Sequence, residues 1–266
     1  MSLDHNEVVR IAIDAGHAIL RIYDSSEDIE VHTKNDDSPL TQADLAAHHV
    51  IVRGLASIAP DIPIVSEEGR VGDPSESEMS WLVDPLDGTK EFIKRNGMFT
   101  VNIALMKKVD DRWKPIFGVV HAPVTQTTWY GGETAPATRI TESKSNPISV
   151  NKHPSKTIRL VASGSHRAER DERFAEQIGR HELVRMGSSL KACAVADGSA
   201  DLYPRFGPTS CWDIAAAHAV VESAGGFVLG PDCQSLDYDV VDEVLNPFFL
   251  VTCSTEWNDA WARNQS

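Results

Sequence analysis

The chain has 266 residues, of which 41% are apolar, and a formal net charge of −14. This length suffices for one large domain or two of ordinary size, and the apolar fraction predicts a folded core rather than disorder. The acidic charge argues against a nucleic-acid polymer as the ligand, and no apolar run approaches the roughly 20 residues that cross a bilayer.

The N-terminal sequence and the cysteines indicate a cellular compartment. MSLDHNEVVR lacks the basic and then apolar order of a secretory signal. The four cysteines lie far apart without a CxxC pair, which argues against a zinc knuckle and against a dense disulfide framework. We therefore expect a cytoplasmic protein with reduced thiols, and the sequence does not indicate an oligomeric state.

The first half of the chain is predicted to form helices followed by strands. Apolar residues at helical spacing from Val8 to Ile22 predict a first helix, and a second is predicted at 41–58. Short β-rich runs separated by Gly, Pro and Asp follow. They are 62–66, 81–83, 99–106, 116–121 and 127–130.

The second half alternates strands with helices after a polar stretch at 134–154, which we interpret as a linker. Strands are predicted at 158–162, 201–203 and 248–252, and helices at 169–178, 188–196 and 212–224. The last helix is predicted to stop at Gly225-Gly226. The order predicts an α+β part, an α/β part and a layered sandwich.

An acidic motif lies in WLVDPLDGTKEF, residues 81–92. Asp84 and Asp87 follow an apolar strand with the Leu86 carbonyl between them, and clustered oxygen ligands are what Mg²⁺ prefers. Gly88 and Thr89 can open a short helix whose free N–H groups face a phosphate. The structural alternative is a turn, because Asp-Pro and Asp-Gly are common turn dipeptides.

Three further acidic features have ordinary structural explanations when taken singly. Glu67-Glu68 follow another strand and can simply be solvated, Asp213 can cap a helix, and Thr41 with Asp44 has capping-box spacing. Their coincidence matters because clustered carboxylates repel unless cations lie between them. Two or three cations meet that need, one activating a water and another stabilising the leaving oxygen.

These motifs resemble the lithium-sensitive inositol monophosphatase superfamily, whose glutamate pair, D-P-x-D-G-T run and W-D-x-A-A stretch occur here in the same order. The similarity is closer to its 3′(2′),5′-bisphosphate nucleotidase branch of CysQ type, in GSSLKACAVADGSADLYPRFGPTSCWD above all. The resemblance implies an αβαβα sandwich. It also implies Mg²⁺-dependent hydrolysis of adenosine 3′,5′-bisphosphate to AMP and phosphate by metal-activated water, and a role in sulfur metabolism.

The resemblance also implies two subdomains and a set of site residues. Residues 1–150 would form an α+β part with most metal ligands, and 151–266 an α/β part with nucleotide recognition and the last ligand. The implied metal ligands are Glu67, Asp84, Leu86, Asp87 and Asp213, for two or three Mg²⁺ ions. The implied catalytic residues are Asp36 (or Asp37), Thr89 and Glu67. The implied substrate contacts are Gly88, Thr89, Ser163, Ser165, His166, Gly187, Ser188, Ser189, Lys191, Arg205 and Asp213.

One departure and three alternatives accompany this interpretation. The family usually has glycine where this chain has Ala217, which puts the packing of that helix and fine specificity in question. A haloacid-dehalogenase phosphatase is disfavoured because its D-x-D-x-T spacing is not met by D-P-L-D-G-T. Preference for an inositol phosphate and a non-catalytic nucleotide or metal sensor stay open as alternatives.

Overall fold

The secondary structure is taken from a computed structural model that describes residues 4–25, 31–33, 39–142, 144–162 and 169–265. Its helices are α1 (His5–Tyr23), α2 (Gln42–Ile58), α3 (Thr89–Ile93), α4 (Glu169–Gln177), α5 (Leu190–Ala196), α6 (Ala215–Ser223) and α7 (Asn258–Arg263). Its first strands are β1 (Val31–Thr33), β2 (Pro39–Thr41), β3 (Ile64–Ser66), β4 (Gly69–Val71), β5 (Met79–Asp87), β6 (Thr100–Val109), β7 (Arg112–Ala122) and β8 (Thr127–Gly132). The remaining strands are β9 (Ala135–Thr141), β10 (Lys144–Pro147), β11 (Ile158–Ala162), β12 (His181–Arg185), β13 (Leu202–Arg205), β14 (Phe227–Leu229) and β15 (Phe249–Thr252).

The two N-terminal helices form where the sequence predicts them. The Asp4 side chain caps α1 by accepting from the N–H of Asn6 at 2.9 Å. Thr41 and Asp44 form a capping box at the start of α2, as their spacing predicts. The apolar stripe of α1 is buried against α2 and the adjacent sheet, so both helices form one outer layer.

The larger sheet has eight strands in the order β10-β9-β8-β7-β6-β5-β3-β4. Neighbours pair antiparallel except β3 and β5, which are parallel. Because parallel strands end at the same edge of a sheet, the residues that follow β3 lie beside the end of β5. The pairing of β5 with β6 is irregular between Asp84, which is opposite Asn102, and Asp87, which is opposite Thr100, so the strand bulges there.

The smaller sheet has five strands in the order β12-β11-β13-β15-β14. The strand β11 runs parallel to β12 and β13, whereas β15 pairs antiparallel with β13 and β14. Helices α5 and α6 lie against this sheet on one side and α6 lies against the larger sheet on the other. On the far side, Phe174 of α4 packs against Trp261 of α7 with ring centroids 6.0 Å apart.

The layers therefore run α1 and α2, larger sheet, α5 and α6, smaller sheet, α4 and α7, and the predicted αβαβα sandwich is confirmed. The central layer sits very close to the larger sheet. A Cβ added at Gly118 of β7 would lie 2.0 Å from the carbonyl oxygen of Ala216 in α6, so only glycine fits there.

Several predicted boundaries differ from the structure. The stretch 134–154, predicted as a linker, contains β9 and β10, because its Thr and Ser residues pair along the edge of the larger sheet. The helix predicted at 188–196 begins at Leu190, and the helix predicted at 212–224 is a 3₁₀ turn followed by α6. Within the described part of the chain, every helix is too short or too polar to span a membrane.

Candidate active site

The parallel pairing of β3 and β5 brings the first acidic residues together. Ser66 is in register with Val83, and the N–H of Glu67 donates to the Val83 carbonyl at 3.0 Å. Glu67 therefore lies level with Asp84 at one sheet edge. Ser66 is held in turn from α2, because its hydroxyl lies 3.0 Å from Nδ1 of His48 and accepts from the N–H of Glu68.

The C-terminal end of β5 presents the next two carboxylates. Asp84 is buried and its Oδ1 accepts from the N–H of Leu86 at 3.0 Å. Gly88 has a φ of 96° and a Cβ there would lie 3.1 Å from the Met98 carbonyl oxygen, so this position requires glycine. Helix α3 begins at the next residue, as the Asp-Gly-Thr sequence predicts.

Asp213 reaches the same place from the second half of the chain. It ends the 3₁₀ turn Cys211–Asp213 before α6, and its Oδ2 accepts from the N–H of Ser210 at 3.0 Å. Asp84, Asp87 and Asp213 each offer a carboxylate oxygen, and these oxygens lie within 4.8 Å of one another. The structure thus brings together three carboxylates that lie up to 129 positions apart in sequence.

The charges of these side chains act strongly on each other. Burial, then the negative charges of Glu67 and Asp87, raise the pKa of Asp84 well above its ordinary value. Burial and the Asp87 carboxylate likewise raise the pKa of Asp213 to about 7. A cation among these oxygens relieves both effects, and all-oxygen donors suit a hard divalent ion. The residues present therefore fit a metal centre.

Thr89 joins the cluster to the start of α2. Its hydroxyl donates to Oδ1 of Asp44 at 3.2 Å, with a longer contact of 3.4 Å to the Leu86 carbonyl. The second oxygen of Asp44 accepts from the N–H and the hydroxyl of Thr41. The capping box of α2 thus also holds the Thr89 hydroxyl, while a functional role of Thr41 and Asp44 stays a prediction.

A pocket opens beside the carboxylates, and two positively charged side chains line it, Lys191 and Arg205. Lys191 is buried, its Nζ donates to the Ser188 carbonyl at 2.6 Å and lies 5.4 Å from the centre of the Tyr203 ring. Burial lowers the pKa of Lys191 to about 8. The Arg205 guanidinium donates to the carbonyls of Gly207 and Pro208.

The size of this pocket limits what it can hold. Its volume is about 130 Å³, against roughly 300–1,000 Å³ for a typical ligand pocket. The part of the pocket formed by the described residues is thus large enough for a phosphate group. The lining residues are Asp87, Gly88, Glu91, Gly187, Ser188, Ser189, Lys191, Tyr203, Arg205, Thr209, Asp213, Ile214 and Phe249.

Ser188 and Ser189 direct their polar groups at the carboxylates. The Ser188 hydroxyl and the Ser189 N–H both donate to Oδ2 of Asp87, at 2.8 Å and 2.7 Å. The Ser189 hydroxyl donates to the backbone carbonyl of Asp213 at 2.6 Å. Ser188 adopts a φ of 53°, a conformation that few residues other than glycine adopt.

The residues predicted from sequence for metal binding and recognition meet at one place wherever the structure describes them. Asp36, Asp37, Ser163, Ser165 and His166 lie outside the described residues. Two buried residues of β6, Thr100 and Asn102, contact the cluster and were not predicted. Their signal in the sequence is a pair of polar residues two apart within the apolar run FTVNIALM, which places both on one face of a strand.

Comparisons with known proteins agree with this architecture. The profile of the inositol monophosphatase family matches residues 4–262. The 3′(2′),5′-bisphosphate nucleotidase CysQ of Salmonella typhimurium is 45% identical over 252 residues, covering 92% of this chain and 98% of that protein. The CysQ nucleotidase of Escherichia coli K12 is 45% identical over 249 residues, covering 93% and 98%.

Solved structures show the same fold. The crystal structure of CysQ from Bacteroides thetaiotaomicron superimposes with a TM-score of 0.78 at 35% identity, covering 94% of this chain and 97% of that one. An inositol monophosphatase from Thermotoga maritima superimposes with a TM-score of 0.76 at 24% identity, covering 97% and 94%. The latter likeness concerns the fold alone.

Proposed function

Because the chain belongs to the inositol monophosphatase family, we propose that it hydrolyses the 3′-phosphate of adenosine 3′,5′-bisphosphate to give AMP and phosphate. The relatives at 45% identity over nearly their whole length are bisphosphate nucleotidases by name, which supports this substrate. The observation that carries the proposal is the position of the two pocket cations next to three clustered carboxylates. A metal centre and a second anion site side by side match a substrate with two phosphates.

The proposed cofactor is Mg²⁺, bound as two or three ions. Asp84, Asp87 and Asp213, whose oxygens lie within 4.8 Å of one another, would hold it. Glu67 and the Leu86 carbonyl lie outside that group and are the further donors that we propose. When bound, the cations would polarise the phosphate and lower the pKa of an attacking water. Burial and neighbouring negative charges raise the pKa values of Asp84 and Asp213, which supports this assignment because a bound cation offsets both causes.

Thr89 is the proposed residue that orients the attacking water. Its hydroxyl hydrogen is directed at Asp44, so the lone pairs of the oxygen are available to accept from a water. Asp44 is buried and held by Thr41, so the Thr89 hydroxyl has a fixed direction. An oriented water reduces the entropy that the attack on phosphorus must lose.

Lys191 and Arg205 are the proposed partners of the phosphate that is not cleaved. Both line the pocket, and both are anchored by backbone carbonyls rather than by carboxylates. Among the described residues neither anchor is an ion pair, so an incoming phosphate supplies a counter-charge.

The experiment is phosphate release by the purified protein from adenosine 3′,5′-bisphosphate and from inositol 1-phosphate, each with and without Mg²⁺. Mg²⁺-dependent release that is much faster from the nucleotide supports the proposal. Faster release from inositol phosphate would keep the metal chemistry and overturn the roles given to Lys191 and Arg205. Release from neither would favour the sensor alternative.

A further inference from the structure

Asn102 occupies a buried position between the two halves of the chain. It lies on β6 of the larger sheet and is 1% exposed. Its Nδ2 contacts three acceptors: Oδ2 of Asp87 at 3.3 Å, the Ser189 hydroxyl at 2.9 Å and the Trp212 carbonyl at 3.5 Å. One amide therefore contacts an aspartate of the first half and two polar groups of the second.

The orientation of this amide is set by Thr100. The Thr100 hydroxyl lies two residues earlier on the same strand face and donates to Oδ1 of Asn102 at 2.9 Å. The same hydroxyl lies 2.5 Å from that of Ser188. Because Oδ1 is directed at a donor, Nδ2 must point toward Asp87 and Ser189.

The result is a buried network that reaches two metal-ligand candidates, Asp87 and Asp213. Asp87 Oδ2 accepts from Ser188, Ser189 and Asn102. Ser189, which Asn102 also contacts, donates to the carbonyl of Asp213. Among the described residues no hydrogen-bond donor contacts Oδ1 of Asp87, so this oxygen is open to a cation.

We propose that Asn102, oriented by Thr100, is a positioning residue that holds Asp87 and Asp213 in the arrangement required for the cation. The inference rests on the proposed metal-dependent function. Buried hydrogen bonds hold the groups that they join in one geometry, and groups that orient metal ligands typically contribute tenfold to hundredfold in metal affinity. Nothing in the position of Asn102 requires contact with the substrate.

The test measures Mg²⁺ binding by titration calorimetry on the whole protein without substrate, at pH 8. Asn102→Leu keeps a similar volume and removes the amide. We expect its dissociation constant for Mg²⁺ to rise tenfold to hundredfold, and the Mg²⁺ activation constant to rise equally while kcat at saturating Mg²⁺ changes little. Val228→Ala, a buried change on β14, controls for general loss of stability.

A second pair of variants keeps the test decisive if Asn102→Leu does not fold. Thr100→Val removes only the hydroxyl, and we expect weaker Mg²⁺ binding, whereas Thr100→Ser keeps the hydroxyl and should restore the wild-type constant. Unchanged Mg²⁺ affinity in Thr100→Val and Asn102→Leu, with only a lower melting temperature, would overturn the positioning role. A wild-type protein that binds no Mg²⁺ would overturn the proposed function itself, which distinguishes the two failures.

Discussion

The hydroxyl of Thr89 donates a hydrogen bond to Asp44, whose other oxygen accepts two from Thr41. The start of α2 and the start of α3 are thus joined by a single buried carboxylate. Thr89→Ala removes the group that orients the water, and we expect kcat to fall about 10²-fold or more. Thr89→Ser keeps the hydroxyl and should retain most activity.

Steady-state kinetics at saturating Mg²⁺, with melting temperatures for both variants, decide this prediction. If Thr89→Ala keeps more than about a tenth of the wild-type kcat, Thr89 does not orient the water. If both variants lose activity together with melting temperature, Thr89 acts only through the packing of α3.

Burial and the neighbouring carboxylates make the charged form of Asp84 costly and raise its pKa well above the ordinary value. Asp84→Asn therefore has different expected effects on stability and on activity. We expect turnover to fall at least about a hundredfold, because a ligand should matter no less than the groups that orient it. Without divalent cations the variant should be as stable as the wild type or more so, since a buried charge is removed. Asp111→Asn, at a side chain that is 99% exposed, is the matched control.

Activity assays test the expected loss of turnover in Asp84→Asn, and thermal unfolding in EDTA tests its expected stability. Near-normal turnover in Asp84→Asn would contradict the metal assignment. A large loss of stability in EDTA would mean that Asp84 serves the fold of the β5 turn, through its bond from the Leu86 N–H, more than it serves a cation.

The sequence predicts the layers and the acidic cluster well, and the reasons are local. The α2 boundary follows from the Thr41 and Asp44 capping box, and the helix start at Thr89 follows from the glycine before it. Strands at the sheet edges escape prediction because β10 and β12 are polar or charged and depend on pairing rather than on an apolar pattern.

The site could be predicted as far as its carboxylates but not as far as its supporting groups. Asp84 and Asp87 share a motif, whereas Thr100 and Asn102 acquire meaning only when β6 is placed beside the Ser188 turn. Ser188 and Ser189 were expected to contact the nucleotide through their family positions, and that role stays a prediction. Their side chains are hydrogen-bonded to Asp87, Thr100, Asn102 and the Asp213 backbone.

Stability without a metal should depend on pH through Asp213. Folding raises the pKa of this carboxyl from its ordinary 3.8 to about 7, so the folded chain binds the proton more tightly than the unfolded chain. The contribution of Asp213 therefore favours folding below about pH 4 and is lost as the pH rises to about 7. In EDTA, we expect Asp213→Asn to be more stable than the wild type at pH 8 and similar to it at pH 4.

Thermal unfolding at both pH values, in EDTA and in Mg²⁺, tests this dependence. Mg²⁺ should raise the melting temperature of the wild type more at pH 8 than at pH 5, because cations and protons compete for the same oxygens. A Mg²⁺ shift that is independent of pH, or one retained in full by Asp213→Asn, would exclude Asp213 from the cation site.

Lys191 is predicted to recognise the phosphate that is not cleaved. Lys191→Met keeps the length of this buried side chain and removes its charge. We expect KM for adenosine 3′,5′-bisphosphate to rise about tenfold to hundredfold, since a hydrogen bond to a charged group contributes about 1.5–3 kcal/mol. Hydrolysis of inositol 1-phosphate, which lacks a second phosphate, should change little.

The control for Lys191 is Lys90→Met, which removes an exposed cation one residue after Thr89. If both lysine variants raise KM equally, the increase comes from a weaker long-range electrostatic attraction of the substrate rather than from a lost contact in the pocket. If KM for both substrates rises in Lys191→Met, Lys191 contacts the phosphate that is cleaved, and the pocket is assigned to the wrong end of the substrate.

Ala217 lies at the position where the resemblance implies glycine, and the structure shows how α6 accommodates it. The residue is fully buried in α6, and the tight approach to the larger sheet occurs one residue earlier, between the Ala216 carbonyl and Gly118. Ala217→Gly should therefore lower the free energy of unfolding by at least about 0.8–1 kcal/mol through helix propensity, with a further loss from the buried methyl group, and leave Mg²⁺ affinity unchanged.

Gly118→Ala is the contrasting change, because its Cβ would meet a backbone atom that cannot rotate away. We expect a loss of at least about 1–3 kcal/mol and weaker Mg²⁺ binding, since displacing α6 moves Asp213 at its start. Chemical denaturation and Mg²⁺ titration of both variants test this contrast. Tighter Mg²⁺ binding in Ala217→Gly would mean that the alanine methyl does crowd the helix behind the metal site.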